Sequence, residues 1–191
     1  MDLVARAKNI IINPAKEWEV IKAETISTGE MFRYAMILAI LPAVAGFIGQ
    51  CLIGQSFLGQ HYRIPIGVGL ASAVLWYVLT LVGVYLLGVI IDMLAPSFGC
   101  PKDMNASLKI AVFSWTASWL AGIFAIIPAL GILAVLGLYS LYLLYLGMKS
   151  LKEVPPDKMV GYYVVTLIVA ILVYVVVGVI AGLVMLGQRM P

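Results

Sequence analysis

The sequence predicts an all-α polytopic membrane protein, a bundle of five transmembrane helices with N-terminal interfacial amphipathic helices. Three observations predict it. Of the 191 residues, 63% are hydrophobic and 11% charged, with a mean hydropathy of +1.08. A soluble domain of this size could not bury so much apolar surface, and about a quarter of its residues would be charged. Between Lys109 and Lys149 no residue is charged, and Pro128 breaks the run once. A hydrocarbon core ~30 Å thick needs ~20 apolar residues of helix, so this stretch has room for two spans and a turn. Lastly, the basic residues sort to one side of the proposed membrane, as shown below.

Residues 2–12 place Leu3, Ala7 and Ile10 or Ile11 on one helical face and Arg6, Lys8 and Asn9 elsewhere. Asn13-Pro14 then restarts the helix, because Asn caps well and Pro is tolerated at the first helical position. In the second piece, Trp18 and Ile21 share a face against Lys16, Glu17, Lys22 and Glu24. A short, basic, Trp-bearing amphipathic segment ahead of a span is expected in the headgroup plane, rather than packed on the protein's own cytoplasmic loops. Residues 1–30 therefore form a cytoplasmic, interfacial segment, and residues 31–191 the five-span domain.

Ser27-Thr28-Gly29-Glu30 fits a capping box and opens the first span, about residues 34–52. Pro42 within it removes one backbone hydrogen bond and is expected to kink it. A polar loop around Gln55–Arg63 holds the single histidine, His61. The second span covers about residues 65–91 and ends at Asp92, Pro96, Gly99 and Pro101. The third and fourth, about residues 108–127 and 129–147, form the hairpin turned at Pro128. Pro155 and Pro156 interrupt the chain before the fifth, about residues 160–186. That span is rich in Val and Ile, but an uncharged run of this length reads as a membrane helix.

With the N-terminus inside, the inner segments hold Arg6, Lys8, Lys16, Lys22, Arg33, Lys102, Lys109, Lys149, Lys152 and Lys158, and the outer ones Arg63 and Arg189. This bias obeys the positive-inside rule and supports five spans. The expected location is the cell's inner (cytoplasmic) membrane, multi-pass, with the N-terminus cytoplasmic and the C-terminus outside. The early residues lack an apolar core followed by a small-residue cleavage site, so the first span is expected to act as an uncleaved signal.

Small residues recur at helical spacing: Ser114, Ser118 and Gly122 in span three, Gly178 and Gly182 in span five. Such ridges let helices approach closely in lipid, within one bundle or across a homodimer seam. Tyr139, Tyr142 and Tyr145 step along span four, with Trp115 and Trp119 in span three. Deep tyrosines and tryptophans need hydrogen-bond partners, so they either pack helix to helix or line a ligand groove. Asp92 is the one acid flanking a hydrophobic span, and Lys109 opens the next span on the same side, which suggests that the two pair. Trp18, Asp92, Lys109, Trp115, Trp119, Tyr139 and Tyr142 are thus the candidate interaction or ligand-groove residues.

Signals of catalysis are missing: there is no G-x-S-x-G, H-E-x-x-H, Walker loop or pair of carboxylates within the bilayer. Cys51 and Cys100 fall towards opposite faces and have no CxxC or Cys/His neighbour, so neither a disulfide nor a metal site is expected. No cofactor box is present, and nucleic acid is not an expected partner, because the basic residues already satisfy the positive-inside rule.

Three segments carry a family resemblance. Ala7, Ile10, Ile11, Asn13, Pro14, Glu17, Trp18 and Ile21 make A-x-x-I-I-x-N-P-x-x-E-W-x-x-I; Ala106–Thr116 reads ASLKIAVFSWT; Ile127–Gly147 holds I-P-x-L-G followed by LYSLYLLYLG. In these the chain resembles the membrane domain of the Yip (Ypt-interacting protein) family in its bacterial form. The resemblance implies a five-span, N-in fold more than an activity. The chain departs from the pattern that the resemblance implies at Phe113 and Ala117, where a tyrosine and a proline are expected. It also lacks the D-L-Y-G-P motif and the long soluble N-terminal region of eukaryotic members, so no Rab-type role is expected. The expected function is a non-enzymatic scaffold or interaction protein acting on membrane lipids and on a protein partner or a second copy of itself. The alternative is a small transporter or lipid-handling protein.

Overall fold

The computed structural model describes residues 2–57 and 60–187. Helix α1 (Leu3–Ile12) is capped by Asp2, whose carboxylate accepts from the backbone N–H groups of Val4 and Ala5. Helix α2 (Pro14–Ala23) begins on proline at its first position, where the missing N–H costs nothing. The capping box at Ser27 and Glu30 is formed in both directions and opens α3 (Thr28–Phe47). Helix α3 runs without interruption through Pro42 and then widens into a π-helical turn, Ile48–Ile53. Where the sequence suggests a polar loop, β1 (Gln55–Phe57) and β2 (Gln60–Tyr62) pair antiparallel, with Gln55 opposite Tyr62. Gly54 before them has φ +85°, and a side chain there would strike Arg63 and the Tyr62 carbonyl.

Helix α4 (Ile66–Leu94) continues into a 3₁₀ turn, Ala95–Phe98, ended by the left-handed Gly99. Span three is segmented: α5 (Met104–Ser114), α6 (Thr116–Ala121) and a 3₁₀ stretch, Gly122–Ile126. After the turn at Pro128 the chain stays in 3₁₀ geometry through Leu138 before α7 (Tyr139–Leu151), and α8 (Met159–Gly187) closes the fold. The two α-helical legs expected of the hairpin are therefore α-helical only in the halves away from the turn. A 3₁₀ helix eclipses side chains at i and i+3. Gly131, Ala134 and Gly137 relieve that crowding along one of the three ridges, while Leu130, Leu133 and Leu136 eclipse along another.

Five stretches among the described residues are long and apolar enough to cross a membrane: Thr28–Ile53, Ile66–Phe98, Met104–Ile126, Pro128–Leu151 and Met159–Val176. They correspond to the five expected spans, but several extend further. The expected bounds lie at residues 91, 108 and 147, whereas the helices run on to Leu94, start earlier at Met104 and continue to Leu151. A charge ends a span only where it must reach water; Asp92 and Lys109 find partners inside the protein (below).

Span three is the axis of the bundle. Fifty-six per cent of its apolar window is buried, against a third or less in every other span. Every residue from Ala106 to Ser114 is buried, so α5 is enclosed on all sides by α3, α4 and α7. In lipid, burial brings no hydrophobic gain over exposure to acyl chains, so close packing has to hold such a bundle together. Glycines supply it. A Cβ on Gly122 would lie 2.5 Å from Pro42 Cβ, one on Gly49 2.0 Å from the Ala125 carbonyl oxygen, and one on Gly88 2.7 Å from Leu108. Large apolar side chains such as Ile37, Val74, Ile132 and Leu172 face outward, as a lipid-facing surface requires.

Of the small residues singled out in the sequence, Ser118 bonds Ser140 and the Gly137 carbonyl, tying span three to span four. Ser114 turns back on its own helix, with its hydroxyl 2.6 Å from the Ile110 carbonyl. Gly178 does not pack against a neighbouring helix: a Cβ built there meets nothing within 4 Å. The surroundings of Gly182, and Arg189 altogether, lie outside the described residues.

Candidate functional site

The polar chemistry of the molecule gathers at one end of the bundle, where α1 and α2 dock. There Thr28, Phe98, Met104, Leu151 and Met159 begin or end their helices. The sequence places Trp18 in the headgroup plane; the structure instead buries it completely, against α7. A Cβ on Gly147 would sit 2.7 Å from the indole ring, so Gly147 is the notch into which Trp18 fits. Ile10 and Ile21 are also fully buried. The amphipathic face read from the sequence is the buried face, but its partner is protein rather than lipid.

Arg6 is the second correction. The sequence sets it off the apolar face, yet it is 5% exposed. The Asn13-Pro14 break folds α1 against α2 and brings Arg6 to Glu17 (2.6 Å) and to Glu24, with the guanidinium 5.7 Å from the centre of the Phe113 ring. Phe113 in turn meets Tyr34 edge-on at 5.0 Å. Thr116 spends its hydroxyl proton on the Phe113 carbonyl, so Tyr34 donates to Thr116 Oγ1 at 2.9 Å. One chain of contacts thus links α1, α2, α3 and the middle of span three.

Asp92 and Lys109 do not pair. Asp92 Oδ1 accepts from the Asp103 backbone N–H (2.8 Å) and lies 3.4 Å from Lys152 Nζ, which also donates to the Asp103 carbonyl (3.0 Å). Lys152 follows α7, far along the chain, and the sequence gives no sign of this partner. Lys109 reaches the other way, donating to the carbonyls of Ile21 (3.0 Å) and Glu24 (2.6 Å). The last carbonyls of a helix lack intrahelical partners and carry the negative end of its dipole, so a buried ammonium is well placed there. Lys109 is therefore the cap that fastens α2 to span three. Asn105 donates to the Ile26 carbonyl (3.0 Å) and Ser150 to Glu19 (2.8 Å), adding further ties. Cys100 is buried nearby, and burial pushes its thiol above the ordinary value against the opposing pull of Lys152 and Lys158.

The aromatic residues do not form one groove. Tyr139 stacks obliquely on Tyr142 and donates to the Ile11 carbonyl at 3.3 Å. Trp115 lies instead beside Tyr174, in a 220 Å³ cleft lined by Trp76, Leu79, Thr80 and Gly178. Trp119 is buried near Tyr34, and its indole N–H has no acceptor among the described residues. Tyr142 is exposed. Among the described residues no three His, Cys, Asp or Glu side chains gather as a metal set would.

The outer surface of the docked pair mixes polar and apolar side chains, with Val4, Ile12 and Val20 also exposed. Lys8, Asn9, Asn13 and Lys16 are exposed, while Lys22 reaches Glu153 at 3.4 Å. Five apolar spans around a segmented central one, with a helical pair plugged into their basic end, define a polytopic integral membrane protein. The Yip1 domain model matches residues 8–180, and the chain belongs to that family. It is similar to the protein named inner membrane protein YohC in two strains of Escherichia coli, 28% identical over 118 residues in each. The match takes in 61% of this chain and spans about 60% of the length of those curated relatives. No solved structure matches the chain.

Proposed function

We propose that the protein lies in the inner membrane with its N-terminus and basic end in the cytoplasm, as a non-enzymatic scaffold that engages partner proteins or lipids through that end. One observation carries this reading. The α1–α2 pair is fixed to the bundle by buried Trp18, Arg6 and Lys109. It therefore presents Lys8, Asn9, Asn13 and Lys16, with exposed Val4 and Ile12 beside them, as a fixed surface rather than a free tail. A preorganised surface loses little conformational entropy when a partner binds. The positive-inside bias supports the orientation.

Deletion of residues 2–25 is a poor test, since it would strip Trp18, Ile10 and Ile21 from the core. Surface charge reversal is the cleaner one. Native mass spectrometry of protein gently extracted from its own membrane should retain a protein partner or a defined oligomer. The double variant Lys8→Glu, Lys16→Glu should lose it while remaining folded. A bare monomer carrying one small molecule or lipid would move the reading to the alternative, solute or lipid handling. That second reading draws on the opposite end. There the π turn Ile48–Ile53 and the 3₁₀ legs flank a 570 Å³ cleft lined by Gln50, Gln55, His61 and Pro128. Irregular backbone in membrane proteins is tolerated where it lines a cavity.

A further inference from the structure

A second feature of the basic end is independent of the exposed α1–α2 surface. Between α2, the start of α5 and the end of α7 lies a 320 Å³ cleft lined by Lys22, Asp103, Asn105, Lys109, Lys152 and Glu153, among others. Two of its three lysines are buried, Lys109 at 6% and Lys152 at 2% exposure. Lys152 has a carboxylate partner in Asp92. Lys109 has none within 4 Å among the described residues; its ammonium donates to two neutral carbonyls, and the Glu24 carboxylate is turned to Arg6. An ammonium has three N–H donors, so one of them is left over.

The acids near the cleft offset part of this charge, but none makes an ion pair with Lys109 among the described residues. Asp103 is committed as the N-cap of α5, its Oδ1 accepting from the Ala106 N–H at 3.0 Å. Glu153 is exposed and holds Lys22 only at 3.4 Å, an exposed pair worth little that can open without cost to the fold. The N-terminal end of α5, an eleven-residue helix, also reaches the cleft and adds the positive end of its dipole.

We propose that this cleft binds a phosphate group, with Lys109 as the buried anchor and Lys22 as the outer clamp. Phosphate fits because it is compact, carries at least one full negative charge and accepts from several donors at once. The cleft lies where span three begins, at an end of the apolar spans, and it is open to solvent. Both a lipid headgroup and a free phosphate therefore share the required chemistry.

The test uses the full chain in a phosphate-free maltoside detergent, with inorganic phosphate and phosphatidylglycerol titrated separately and binding read by the rise in unfolding temperature. Either probe should bind the native chain saturably, and Lys22→Ala should weaken it about threefold and Lys109→Gln about tenfold. Lys8→Ala, away from the cleft, should leave binding unchanged. Saturation by inorganic phosphate would point to a soluble ligand, and saturation by phosphatidylglycerol alone to a lipid headgroup. Because Lys109 also caps α2, its variant could fail to fold; Lys22→Ala and Asn105→Ala then decide. Binding that is equal in native, Lys22→Ala and Asn105→Ala protein, or binding by neither probe, would overturn the proposal.

Discussion

The two ends of the bundle are built on different principles. At the basic end, side chains from distant parts of the chain interlock: Arg6 with Glu17, Trp18 with Gly147, Lys109 with the end of α2, Asp92 with Lys152. At the opposite end the backbone itself is irregular, with a π turn, a two-stranded hairpin and a long 3₁₀ leg whose residues are largely exposed. The first region gains its stability from specific polar and aromatic contacts whose loss leaves uncompensated charge or a cavity. The second rests on a few backbone approaches at glycine. Membrane burial alone favours neither, because lipid solvates apolar side chains as well as protein does.

The comparison can be broken most sharply at Arg6. Removing the guanidinium strands a buried Glu17, and leaving an unpaired charge inside typically costs about 3–5 kcal/mol. Arg6→Ala should therefore lower stability by that order in reversible denaturation. The double variant Arg6→Met, Glu17→Leu should recover most of it, since no buried charge remains. If the double is as unstable as the single, the polar lock is not what holds this end together. The opposite end should respond to backbone crowding instead. Gly49→Ala puts a methyl group into the Ala125 carbonyl and should cost about 1–3 kcal/mol, the usual range for overpacking. Gly131→Ala, with open space around it, should stay within about 0.5 kcal/mol.

Amide hydrogen exchange offers a gentler comparison. Protection should be highest in Ala106–Ser114 and lowest in Pro128–Leu138, which exposes more backbone and has weaker 3₁₀ hydrogen bonds. Equal protection would mean that the two ends are not energetically distinct. The smallest expected effect is chemical. Thiolate is the reactive form of cysteine, and a thiol held above its ordinary value has less of it at neutral pH. Cys100 should thus alkylate slowly near pH 7, accelerate as pH rises through its raised value, and react at the rate of an ordinary thiol once the protein is unfolded.

How much of this was legible in the sequence depended on the range of the interaction. Span number, the turn at Pro128 and the capping box at Ser27 follow from local composition and chemistry, and all are found. The 3₁₀ legs were not legible, since an uncharged apolar run reads alike in either helical geometry. Trp18 and Ile21 were assigned to the correct face, but an amphipathic helix satisfies itself equally against headgroups or against a protein groove. Only Gly147, remote in sequence, decides between them. Arg6 was misplaced for the same reason: a buried guanidinium is intelligible only once Glu17 and Glu24 are folded back beside it. Adjacency along the chain suggests an Asp92–Lys109 pair, whereas the partner, Lys152, follows α7 in a distant part of the chain.

The docking of α1 and α2 also sets a clock on assembly. Tyr139 and the Ile11 carbonyl that it holds are 128 residues apart. At synthesis rates of roughly 5–20 residues per second, the N-terminal helices wait about 6–26 s before their seat on span four exists. During that interval Arg6 can already pair with Glu17 and Glu24, whereas the indole of Trp18 has yet to meet Gly147. The earliest-made part of the chain is thus among the last to reach its place.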